Sequence, residues 1–91
     1  MSRQEARDIL ARRVAQLRQE SYESLKAKWL DRPDGEQVSG DSGKEYGVEV
    51  QAFWDDPRDP GNLRVVVSVG DSLLPPTGGF IVAPDGRFVG E

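Results

Sequence analysis

The sequence predicts an α+β fold, an N-terminal helix packed across an antiparallel β-meander of four to five strands, and three observations predict it. All ten glycines and six prolines follow residue 32. Before that point apolar residues recur at helical spacing, and after it they alternate as in strands with one buried face. Strands segregated from a single helical element pack with the helix lying across one sheet face. The 91 residues are therefore read as one domain, helical over 3–30 and β-rich over 36–91.

Ser2 and Glu5 have capping-box spacing, in which the serine hydroxyl accepts from the Glu5 amide and the carboxylate reaches back to the Ser2 amide, so the helix starts at Arg3. At about 100° per residue, Ala6, Ile9, Leu10, Val14, Leu17 and Leu25 form one stripe flanked by Tyr22 and Trp29. Asp8 with Arg12, and Glu23 with Lys26, are spaced as ion pairs on the outward side. Ser21 is suited to cap a second helix, so the run is either one helix to Leu30 or two with a bend near Glu20. Arg32-Pro33-Asp34-Gly35 ends it, because Pro33 restricts the residue before it and Gly35 permits a turn.

Tyr46, Val48, Val50, Ala52 and Trp54 then alternate with Glu45, Gly47, Glu49, Gln51 and Phe53, the pattern of a long half-buried strand. Leu63, Val65, Val67 and Val69 alternate with Arg64, Val66 and Ser68 in a second, joined to the first by a loop over 55–62. Asp41-Ser42-Gly43 turns a short strand over 36–40 onto the long one. Pro84-Asp85-Gly86 turns 80–83 onto 87–90.

Composition narrows the function. The chain has no His and no Cys, which removes the usual neutral-pH general base, the thiol nucleophile and the common transition-metal ligands. It also excludes a disulfide scaffold. No apolar run follows the charged N-terminus and none approaches membrane-spanning length, so the expectation is a cytoplasmic protein with no membrane partner. The net charge of −4 is uneven: up to Leu30 there are seven basic and four acidic residues, net +3, and beyond it five basic and twelve acidic, net −7. Arg3, Arg7, Arg12, Arg13 and Arg18 scatter around the helix among acidic residues, so no basic stripe suits a nucleic acid. The polarity favours an oriented protein partner or head-to-tail association.

Four segments invite chemistry and each has a plainer reading. Gly70-Asp71-Ser72-Leu73 spells the motif of the GDSL hydrolases, but that serine needs a histidine to activate it. Gly40-Asp41-Ser42-Gly43-Lys44 has two residues between its glycines where a phosphate-binding loop needs four, and Glu45 where it needs a hydroxyl, so it reads as a hairpin turn. The loop 55–62 gathers Asp55, Asp56, Asp59 and Asn62, but Pro57 and Pro60 occupy positions where a calcium loop needs an oxygen ligand and a glycine. Glu45 and Glu49 share a strand face about 13 Å apart, wider than a glycosidase pair. No catalytic residue, cofactor or metal ligand is assigned.

The most informative surface is the sheet face turned away from the helix. If Tyr46, Val48, Val50, Ala52 and Trp54 face the helix, then Glu49, Gln51, Phe53, Arg64 and Val66 project from the opposite face, joined by either Ile81 or the Phe80 and Val82 pair. An apolar patch rimmed by charges is the composition of a partner or self-association surface. Leu73-Leu74-Pro75-Pro76 is a second apolar segment. The expectation is a non-catalytic protein-binding or interaction module, homodimeric or immunity- or adaptor-like. The alternatives are a small-ligand-binding protein with a cleft between helix and sheet, or a carboxylate-based hydrolase using Asp55, Asp59 and Tyr46.

The C-terminal run Phe80-Ile81-Val82-Ala83-Pro84-Asp85-Gly86-Arg87-Phe88-Val89-Gly90-Glu91, with the strand over 46–54 and its exit Phe53-Trp54-Asp55, resembles small bacterial hypothetical proteins, a resemblance that implies no activity. A helix wrapped by an antiparallel meander is also similar to the cystatin-like and immunity-protein architectures, which is a likeness of fold.

Overall fold

The computed structural model describes residues 3–70 and 75–90. Two helices, α1 (Arg3–Arg18) and α2 (Tyr22–Trp29), precede four strands, β1 (Asp34–Ser39), β2 (Glu45–Trp54), β3 (Leu63–Val69) and β4 (Thr77–Val82). The strands form one antiparallel sheet in sequence order, β1-β2-β3-β4. Both helices lie on one face, α1 over β3 and β4 and α2 over β2. This is the α+β arrangement the alternating patterns predict, with four strands.

Of the two readings left open for the helical run, the structure has the bend. Ser21 sits in extended backbone and its hydroxyl accepts from the Ser24 amide at 3.1 Å, which satisfies a donor at the start of α2. The expected stripe is buried in large part: Ala6, Ile9 and Leu17 from α1 and Leu25 from α2 meet Tyr46, Val48, Val50, Ala52, Leu63, Val65, Val67, Val69, Phe80 and Val82. Leu10, Val14, Trp29 and Trp54 pack partly buried at its margin. Tyr22 is in the core rather than on a flank, and its hydroxyl donates to the Gly61 carbonyl at 2.6 Å, tying α2 to the β2–β3 loop.

Three local expectations change. The chain reverses after α2 at Asp31, whose φ of 55° is left-handed, and its amide donates to the Ala52 carbonyl at 3.1 Å. Gly35 is consequently free to enter β1 instead of forming the turn. The fifth strand shrinks to a single bridge between Val82 and Phe88. The Ala83–Arg87 turn does form, with Gly86 at φ 88°, and beyond it Phe88 pairs with Val82 while its ring stacks edge-on against Phe80 at 5.5 Å under the Arg18 guanidinium.

Candidate functional site

The pleat puts odd-numbered residues of β2 on the face away from the helices, and the register brings the expected partner residues together there. Phe53 lies opposite Arg64, which lies opposite Ile81; Gln51 opposes Val66, which opposes Gly79; Glu49 opposes Ser68. All five residues singled out from the sequence, Glu49, Gln51, Phe53, Arg64 and Val66, therefore share one surface. Of the open choice in β4, Ile81 joins them, while Phe80 and Val82 are buried under α1.

Phe53 is the large apolar side chain most open to solvent among the described residues, at 39% exposure. Arg64 beside it directs Nε and Nη2 at Asp55 Oδ1, at 3.0 and 2.7 Å. The Glu49 side chain, two rows away, makes no hydrogen bond or ion pair among the described residues. Gly35 and Gly47 place no side chains on the same face, and this leaves a shallow hollow of about 510 Å³ walled by Gln37, Glu49 and Ser68. A second depression, about 360 Å³, lies over Gly79 between Val66, Ile81 and Val89.

The hydrolase candidates do not converge. Tyr46 and Asp55 stand at opposite ends of β2, roughly 30 Å apart at the rise of a strand, and the Tyr46 ring is buried on the helix side. Asp55 is engaged by Arg64, and Asp56 accepts from the Arg58 amide at 3.0 Å within the loop. No group of three acidic residues that could hold a metal ion occurs among the described residues. The Gly40–Lys44 segment is a hairpin turn closed by the Gly40 amide on the Lys44 carbonyl at 2.8 Å, with Gly43 at φ 87°. Residues 71–74, hence most of the Gly-Asp-Ser-Leu tetrapeptide and the Leu73-Leu74 pair, lie outside the described residues. Between the two layers, the space beside Arg13 and Trp29 is about 30 Å³, room for a water molecule rather than an organic ligand.

One cluster escapes sequence reasoning. Ser2, the expected capping partner of Glu5, is outside the described residues; the Glu5 carboxylate reaches the β1–β2 turn. It accepts from the Tyr46 hydroxyl at 2.7 Å, the Ser42 hydroxyl at 2.7 Å and the Ser42 amide at 2.9 Å. These bonds, Tyr46 first, hold the Glu5 carboxyl below its ordinary 4.5. The same carboxylate pushes the Tyr46 phenol above its ordinary 10.0, because an ionised phenolate loses the shared proton and meets a like charge. Glu20 is also held low, by Lys28 at 2.7 Å and then Ser24. Both carboxyls are thereby kept ionised, the opposite of a general acid.

No protein-family model, curated protein or solved structure matches this chain. No helix among the described residues is long and apolar enough to cross a membrane.

Proposed function

We propose that the protein is a non-catalytic protein-binding module that works through the open sheet face. The observation that carries this reading is the convergence of Phe53, Val66 and Ile81, rimmed by Glu49, Gln51 and Arg64, on a face that no helix or strand among the described residues covers. A monomeric sheet gains nothing from holding a phenylalanine in water, whereas a contact that buries the ring removes apolar surface from solvent. The face is broad and its hollows are shallow, which suits another protein surface better than a small molecule.

Site-specific photo-crosslinking in cells tests this. A benzoylphenylalanine at position 53 is expected to form discrete protein adducts, and the same group at the exposed Ala15 on α1 is not. Adding Val66→Glu to the position-53 chain is expected to abolish the adducts while circular dichroism stays unchanged. Equal labelling from both positions, or adducts indifferent to Val66→Glu, overturns the reading.

A further inference from the structure

We infer that the occupant of the open face is a second copy of this chain, related by a two-fold axis that lies in the interface and crosses the strands near Gln51. The inference rests on the protein-binding reading and names its partner. It is carried by self-complementarity across that axis. Phe53 projects on one side of Gln51, and the glycine hollow above Gly35 lies on the other. Rotation by the dyad sets each Phe53 ring over the other copy's hollow, with Val66 and Gln51 near the centre.

The charges obey the same symmetry. Glu49 and Arg64 lie on neighbouring strands four residues apart in register, roughly 14 Å, too far to pair within one chain. The dyad exchanges their positions, so Glu49 of each copy meets Arg64 of the other. The Glu49 carboxylate has no partner among the described residues of its own chain, and Arg64 directs Nε and Nη2 at Asp55, leaving Nη1 for the second carboxylate. Interchanging them tilts the axis relative to the strands, which agrees with the angle of about 30° at which sheets pack face to face. Because the contact is the same patch on both copies it closes as a dimer, whereas helix-on-sheet stacking would extend without end. Four strands span about 19 Å and the face runs for about 25 Å, so the pair buries on the order of 1,000 Å², the low end for a specific interface and suited to a micromolar dimer.

Sedimentation equilibrium at 0.15 M salt, from 10 µM to 1 mM, is expected to show a reversible monomer–dimer equilibrium of the 10.1 kDa chain. Glu49→Arg and Arg64→Glu each place like charges together at both symmetric contacts, so each alone is expected to weaken association at least tenfold. Mixing the two variants restores opposite charges at both contacts and is expected to restore the dimer. Gly35→Leu, where a β-carbon meets only the Val48 carbonyl oxygen at an ordinary 3.6 Å, puts an apolar side chain into the hollow and is expected to weaken association similarly while circular dichroism stays unchanged. A wild-type chain monomeric to 1 mM, mass growing past the dimer, or a mixture no tighter than its components overturns the inference. The face reading fails separately, by loss of the position-53 adducts. If those adducts persist with a mass other than twice the chain, the face binds a different protein.

Discussion

At the scale of the residue, the Glu5 carboxylate ties α1 to the β1–β2 turn. It accepts three hydrogen bonds from a turn 37 residues away and from Tyr46, 41 residues away. Gly40 makes room for it, since a β-carbon there would collide with the carboxylate. The titration shifts turn this cluster into a pH prediction. Glu5 titrates lower in the folded chain, so its contribution is complete above 4.5 and is lost as pH falls through the depressed folded value. Tyr46 titrates higher, so its contribution is complete below 10.0 and is lost as pH rises through the raised folded value. Urea midpoints measured against pH are expected to fall at both extremes. Glu5→Gln removes the Glu5 part of the acidic limb, and Tyr46→Phe removes the Tyr46 part of the alkaline limb. An unchanged acidic limb in Glu5→Gln would show that other carboxyls govern it.

At the scale of the element, α2 is eight residues long, too short to persist alone in water. Its existence depends on the Ser21 cap and on the burial of Leu25, which is fully enclosed. The two contributions differ in size. Ser21→Ala is expected to cost about 1 kcal/mol, the worth of a cap hydrogen bond. Leu25→Ala is expected to cost roughly 2–5 kcal/mol, because it removes transfer free energy and leaves a cavity. Denaturant unfolding of both variants checks the order; a Ser21→Ala effect as large as that of Leu25→Ala would mean that the cap rather than packing holds α2 in place. The C-terminal segment follows the same logic. The turn after Ala83 and the Val82–Phe88 bridge carry the Phe88 ring onto Phe80, so a short return of the chain closes the core margin without a full fifth strand.

At the scale of the molecule, the layers separate the charge. The helical layer with its +3 segment covers one face, and the sheet region with its −7 segment supplies the open one. Two copies stacked through their open faces have centres about 20 Å apart, and net charges of −4 on each then repel by roughly 3 kcal/mol at the dielectric constant of water before screening. Two exposed Glu49–Arg64 contacts return at most about 1 kcal/mol each. Repulsion therefore wins at low ionic strength and fades once the Debye length falls to about 8 Å. Dimerisation is expected to tighten severalfold from 10 mM to 150 mM salt, measured by sedimentation, the reverse of an interface held mainly by ion pairs. Tightening at low salt instead would point to contact between the basic and acidic layers.

The sequence by itself determined the fold class, the capping potential of Ser21, the hairpin turn before Lys44 and the assignment of Glu49, Gln51, Phe53, Arg64 and Val66 to one face. These follow from short-range physics: apolar period, side-chain capping, turn stereochemistry and the strict alternation of a pleated strand. Only the tertiary structure decided that the helical run bends at Ser21, that Ile81 rather than Phe80 joins that face, that Glu5 serves the β1–β2 turn, and that Gly35 and Gly47 open a hollow beside Glu49. Each of those depends on register or on contacts between residues distant in the chain, and local periodicity carries no information about which strand position lies opposite which.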